Sequence, residues 1–351
     1  MNAITEEPGA SFTLVNHSQS LKRLRGVMDR VGTAMSPEVF VITVSNVYHA
    51  VMAETYADQI HDMFRSSGSR QNFRQALCFA KERLSRPPVV LNLGCGAGYD
   101  FEVLREVFSR DEVAEVLCLD PSPEMLELAG RGAEGYPCRF LVGEIGEALD
   151  NAPYDLIITH SLVHHIPDLM SFFLAIDRLV ASGGIYVMGH EPNRRFWNNR
   201  ECRTVLEEYE KQQRRYKGFI KYLNPNRYLG RLKRALRLQE DEGWEARVNA
   251  RLRQDHRLKG NLTCQEIWRL VDIHVPDPFD GDFSIGLNGF EHEELQAQYL
   301  PDWNLESFTS WGYLGLHNSA EVSGPWQSAS ASLAKKYPDD GSNFAAVWRK
   351  K

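Results

Sequence analysis

At 351 residues the chain is long enough for one large domain or two smaller ones, with ample apolar core. Its 43% hydrophobic and 25% charged residues are the mix of an ordinary globular protein and exclude bulk disorder. A net charge of −7 and a pI near 5.9 lie far from the strongly basic balance of a dedicated nucleic-acid binder.

The chain starts MNAITEEPGA, which lacks the basic and apolar blocks of a secretory signal. No apolar run approaches the roughly 18 residues that cross a bilayer, so a cytoplasmic protein with no membrane partner is expected. Residues 1–88 read as helical after a loose start. Ser36-Pro37-Glu38 has the form of a helix start, and Val47 to Phe64 carries apolar residues three or four apart. Tyr48, His49, Tyr56 and Asp58 are the polar reach of that run, although Tyr48 and Tyr56 would serve equally as anchors on the core.

Val89 to Leu93 is a short apolar run between a proline pair and a glycine cluster, the pattern of a strand buried on both faces. In Gly94-Cys95-Gly96-Ala97-Gly98 the missing side chains let the backbone turn sharply and approach a ligand, with the N–H groups of the next helix facing it. A second strand, Val116 to Leu119, ends in Asp120, placed to accept hydrogen bonds from two ribose hydroxyls. An adenosine-containing cofactor is expected. A dinucleotide fingerprint wants G-x-G-x-x-G, and Tyr99 at its last position counts against NAD.

The pattern G-x-G-x-G followed by a strand ending in Asp resembles the first two motifs of class I S-adenosylmethionine (SAM) dependent methyltransferases. The resemblance extends to about Glu191. Phe140 to Ile145 is similar to the third motif, in which Glu144 would face the adenine amino group and Ile145 pack on the ring. Tyr154 to His160 reads as the fourth strand, Ser161-Leu-Val-His164-His165-Ile is similar to a segment of many small-molecule methyltransferases, and Ser182-Gly183-Gly184 matches the turn into a fifth strand, Ile185 to Gly189.

From Arg194 to Lys259 the composition shifts to nineteen Lys and Arg against nine Asp and Glu. The stretch is helical in character over Glu201–Tyr216 and Tyr228–Leu238. It reads either as a solvated basic face or as a lid whose arginines meet an anionic substrate group or an acidic protein partner. After a joint at Val275–Gly281, a helix at Glu291–Leu300 and strands at Leu305–Leu314 and Phe344–Trp348 return to the core. Ser319–Tyr337 has no legible form. Six cysteines lack C-x-x-C spacing, so neither a disulfide framework nor a zinc site is encoded.

The fold expected is therefore α/β, a Rossmann-like class I methyltransferase sheet with helices on both faces, an N-terminal helical cap and a helical lid insertion. Its parts are residues 1–88, 89–192, 193–275 and 276–351. The resemblance implies SAM as cofactor, held by Gly94, Gly96, Gly98, Asp120, Pro121, Met125, Glu144, Ile145, His160 and Tyr48. His165, then His164, are the candidate bases, since imidazole titrates near neutrality; the resemblance pairs His165 with an N-terminal tyrosine, Tyr56 or Tyr48. Glu191 would bind a substrate amine or hydroxyl, or cap the helix starting near Pro192. Arg194, Arg195 and Asn193 would hold a small, anionic acceptor. His160, His164, His190 and Glu191 follow no known ligand spacing, and no metal is expected. The reaction expected is methyl transfer to N, O or C. A lyase or cyclase using SAM on the same scaffold, and a non-catalytic SAM-fold binding protein, stand as alternatives.

Overall fold

The computed structural model describes residues 18–55, 64, 68–133, 135–223, 243–255, 257–276, 285–314, 322 and 324–351. The apolar runs become strands β1 (Val89–Leu93), β2 (Glu115–Asp120), β3 (Cys138–Val142), β4 (Tyr154–His160), β5 (Val180–Pro192), β6 (Trp303–Trp311) and β7 (Asn343–Lys350). Among the described residues they form one seven-stranded sheet in the order β3-β2-β1-β4-β5-β7-β6. The pairs from β3 across to β5 are parallel, and β7 runs antiparallel between β5 and β6.

The helices, in chain order, are α1 (Ser18–Val31), α2 (Pro37–Thr55), α3 (Gly68–Lys81), α4 (Tyr99–Val107), α5 (Pro123–Arg131), α6 (Leu169–Leu179), α7 (Arg194–Asn198), α8 (Arg200–Leu223), α9 (Trp244–Gln254), α10 (Cys264–Val271), α11 (His292–Tyr299) and α12 (Pro325–Lys336). Side chains alternate across a strand, so each strand divides between two cores. Val90, Val116, Ile158 and Val187 pack with Phe73 and Leu77 of α3 and Leu104 of α4. Leu91, Leu117, Ile157 and Tyr186 pack on the other face with Phe173 and Ile176 of α6. Both faces being covered is why these strands read as unbroken apolar runs.

A third core joins two regions distant in sequence. Phe40, Val44 and Tyr48 of α2 pack with Val248 and Leu252 of α9 and Ile267 and Leu270 of α10. The N-terminal helices and the basic insertion thus share one apolar interior.

Several expectations shift. The helix start at Ser36–Glu38 and the periodic run from Val47 belong to one helix, α2, and residues 56–63 of that run lie outside the described residues. The strand expected from Ile185 begins at Val180, so Ser182-Gly183-Gly184 lies within β5. The stretch at Ser319–Tyr337 contains α12, entered through Pro325 and carried by its alanines. Tyr228–Leu238 lies outside the described residues. Among the described residues, no helix is long and apolar enough to cross a membrane.

Candidate active site

The parallel strands set the site's place. Chain order reverses between β1 and β4, and the loops leaving the carboxyl ends on either side of such a switch open a crevice. The crevice holds a cavity of about 300 Å³.

One wall is the glycine turn after β1. The Gly94 and Cys95 amides donate to Leu119 O at 2.8 and 3.1 Å, pinning the turn to β2. The Gly96 amide donates to Asp120 Oδ2 at 2.9 Å, and the Ser122 amide donates to Oδ1 at 2.9 Å. Asp120 is 8% exposed, and burial pushes its carboxyl up to about 6 against the opposing pull of those two amides. Gly96 has a φ of +49°, and a Cβ there would meet nothing within 4 Å. Pro121, Met125, Glu144 and Ile145 continue the same wall. Gly98 does not line the cavity. A Cβ there would come within 2.9 Å of Ala129 Cα, so this glycine serves the close packing of the turn against α5.

The second wall is α2. Glu38, Ile42, Ser45, Asn46 and His49 lie at helical spacing and face the cavity, while Phe40, Val44, Val47 and Tyr48 hold the opposite face in the third core. Tyr48 is therefore a correction. It is 2% exposed, wedged against Trp244 and Trp268, and does not line the cavity; its neighbour His49 does. Tyr56 lies outside the described residues.

The third wall is the loop after β4. His165 lines the cavity and donates from Nδ1 to Val271 O at 2.8 Å, which leaves the lone pair on Nε2. Burial first, then the charge of His164 and the neighbouring His49, hold His165 well below the usual imidazole range. His49 packs edge-to-face on it at 5.0 Å and is itself lowered by burial to about 4.

His164 points elsewhere. Its Nδ1 lies 2.8 Å from Glu191 Oε2 and its Nε2 3.8 Å from Asp272. Burial lowers its pKa, but the attraction and hydrogen bond of Glu191, with Asp272 behind them, carry it above the ordinary value. Glu191 is likewise a correction. Fully buried, it accepts from the amides of Leu162, Val163 and His164 as well as from the His164 ring, and it does not reach the cavity. It holds the loop that presents His165. The helix beginning after Pro192 is capped by Asn193, whose side chain accepts from the Arg195 amide.

His164, His165 and Asp272 bring three ligand-type atoms within 4.8 Å of one another. His164 is already bonded to Glu191 and His165 to Val271 O, while Asp272 Oδ1 lies 3.5 Å from His165 Nδ1 and 3.8 Å from His164 Nε2. His190 is buried beside His160, and His160 lines the cavity with Nε2 3.0 Å from Ser69 Oγ.

The anionic-substrate residues are the largest correction. Arg194 pairs with Glu291 and Glu294, and Arg195 with Glu293 at 3.0 Å. Asn193 donates from Nδ2 to Asp339 O at 2.8 Å. None of the three lines the cavity, because α7 turns toward α11 and away from the crevice.

Sequence reasoning missed Asp100, which is 3% exposed and lines the cavity on the first turn of α4. Burial, reinforced by Cys118 and Asp120, pushes its carboxyl well above the usual range. Its Oδ2 has no hydrogen-bond partner among the described residues. An acid directly after the glycine turn, on a helix otherwise packed on the sheet, was the available signal.

Residues 91–188 match a methyltransferase domain family. These residues form a class I SAM-dependent methyltransferase domain. Around this methyltransferase domain the chain is 30% identical over 129 residues to trans-aconitate 2-methyltransferase of Methylobacterium nodulans, covering 37% of this chain and 48% of that one. It is 26% identical over 216 residues to the ubiquinone biosynthesis O-methyltransferase of Photorhabdus laumondii subsp. laumondii, covering 60% and 75%. The chain thus spans about half the length of the first of these relatives. The N-methyltransferase NodS from Bradyrhizobium japonicum, solved with S-adenosyl-L-homocysteine (SAH), aligns at a TM-score of 0.40 and 13% identity over 87% of this chain and 98% of NodS.

Proposed function

We propose that the chain is a methyltransferase that binds SAM in the cavity and moves its methyl group to an N, O or C atom of a small molecule. The observation that carries this reading is the pairing of the open turn at Gly96 with buried Asp120. The turn leaves room for a ligand where any side chain would stand, and the two amides that orient Asp120 use one lone pair on each carboxylate oxygen. The remaining lone pairs suit the two hydroxyls of a ribose. Glu144 and Ile145, with Pro121 and Met125, would bound the adenine side, so the residues present fit the cofactor.

When bound, SAM supplies a methyl group already activated on a sulfonium. The chain's own task is to hold the acceptor in line and to keep water out, and α2 and the aromatic side chains at the cavity serve both. His165 acts as acceptor of the proton that the nucleophile sheds: its Nδ1–H is fixed on Val271 O, which leaves Nε2 to accept. Glu191 and His164 act through the loop as positioning residues. We assign α1 and α2 with α9 and α10 to a cap over the site.

Calorimetric titration with SAH tests the reading. Asp120→Ala should weaken binding by about 1.5–3 kcal/mol, roughly one to two decades, as expected for loss of hydrogen bonds to a charged group. An unchanged affinity would overturn the assignment.

A further inference from the structure

We propose that His164, His165 and Asp272 form a binding site for one divalent transition-metal ion of the zinc class. The three residues meet where the loop after β4 passes the end of α10: both histidines stand on the short turn Val163–His165, and Asp272 caps α10. Asp272 Oδ1 lies 3.8 Å from His164 Nε2 and 3.5 Å from His165 Nδ1, and three ligand-type atoms of these residues fall within 4.8 Å of one another. Both distances are long for a hydrogen bond. They suit atoms that share an ion, since two ligands about 2.1 Å from zinc at the tetrahedral angle stand about 3.4 Å apart.

The surroundings are those of a ligand set. Glu191 Oε2 holds His164 at Nδ1, 2.8 Å away, which fixes the ring and leaves Nε2, the nitrogen facing Asp272, to coordinate. Glu191 is itself fixed by the amides of Leu162, Val163 and His164. Together with Asp272 it sets two carboxylates against the two charges of the ion. Two imidazole nitrogens and one carboxylate oxygen favour zinc, cobalt or nickel over magnesium and calcium, which take oxygen ligands. His274 shows the contrast. Its amide donates to His164 O, but both of its ring nitrogens are spent, one on Ile166 O at 3.0 Å and the other on the Leu287 amide at 2.9 Å. The Asp272 side chain is 32% exposed, which gives an ion a way in from solvent.

Coordination at Nδ1 exchanges the hydrogen bond from His165 to Val271 O for a bond to the ion. The Nδ1 proton is released to water and one is taken up on Nε2, so the ring stays neutral and Nε2 donates instead of accepting. The ion-bound chain is then unable to take the proton that the nucleophile sheds. Binding of the ion clips the loop after β4 to the end of α10 and holds the site inactive. This consequence rests on the function proposed above, whereas the ion site stands on its own geometry.

The test uses the full-length protein, freed of metal with EDTA, and cobalt(II) as the probe. One equivalent per chain should bind and give the visible absorption of a four-coordinate cobalt centre, and zinc should displace it. The six free cysteines are the competing ligands, and thiolate–cobalt charge transfer in the near ultraviolet would place the ion on them and overturn the proposal. Asp272→Asn should weaken cobalt binding by more than about tenfold while SAH affinity stays within about twofold of the parent. In long-range proton–nitrogen correlation spectra zinc should move the His165 proton from Nδ1 to Nε2, a readout that needs neither a variant nor a substrate. No uptake, uptake unchanged in Asp272→Asn, or a His165 proton that stays on Nδ1 would each overturn the site. Failure of SAH to bind the metal-free parent would instead overturn the cofactor reading and leave the ion site standing.

Discussion

The glycine-turn side and the histidine side of the cavity are built by different means. On the first, Gly94, Gly96 and Asp120 sit at the carboxyl ends of adjacent strands, and their positions follow from sheet register and backbone hydrogen bonds within about 25 residues of chain. On the second, His165 is fixed by Val271, more than a hundred residues away, and flanked by His49 from α2. The contrast teaches that the glycine-turn wall is preformed by the sheet, whereas the histidine wall depends on the third core, which holds α2, α9 and α10 together.

Breaking the joint between the two sides should produce the largest effect. Glu191→Ala removes the buried carboxylate that the His164 ring and three amides share and should lower stability by about 3–5 kcal/mol. Thermal unfolding measures this, and a midpoint equal to that of the parent protein would show that the loop does not depend on the carboxylate.

Next in size is Gly96→Val on the preformed side. The β-branched side chain is strained at a φ of +49° and occupies the open cradle. SAH affinity should fall by roughly two decades, about 2.7 kcal/mol, with little change in acceptor-fragment binding by the residual complex. Equal losses for both ligands would mean that the two walls are one unit.

A pH series sharpens the same comparison. Asp120 is raised to about 6 from an ordinary value of 3.8, so its folded form favours the proton and its contribution to stability is present at low pH and lost as pH rises from about 4 to about 6. Ligand binding has the opposite sign, because the ionised carboxylate accepts from the ribose. SAH affinity should therefore increase several-fold as pH rises through about 6, and this dependence should disappear in Asp120→Asn. A profile that is flat over that range in the parent protein would count against Asp120 as the ribose partner.

The smallest effect belongs to Arg194→Ala with Arg195→Ala. Their ion pairs are partly exposed, with side-chain exposures of 22% and 33%, so each is worth under about 1 kcal/mol. Acceptor KM should be unchanged once a substrate is in hand. A several-fold rise in KM would return these arginines to the acceptor wall.

How much was legible depended on how local the physics was. Tyr48 and His49 differ by one residue, which on a helix is about a 100° rotation, and only the packing of Tyr48 against Trp244 and Trp268 decides which of the two faces the cavity. Gly98 reads as a third ligand glycine, yet its constraint comes from α5. Arg194 and Arg195 look like substrate residues because they follow β5, but acids around α11, nearly a hundred positions on, take them.

The sequence by itself determined the sheet, the glycine turn and Asp120. Strand burial and turn geometry impose residue types at fixed short spacings, and a strand's end fixes where its last side chain stands. The tertiary structure alone decided that Glu191 serves the loop, that Arg194 and Arg195 pair with acids around α11, and that, among the described residues, acids and no Lys or Arg line the cavity. Those outcomes depend on which of many distant polar groups come within hydrogen-bond reach, a choice that burial and packing make and that composition leaves open.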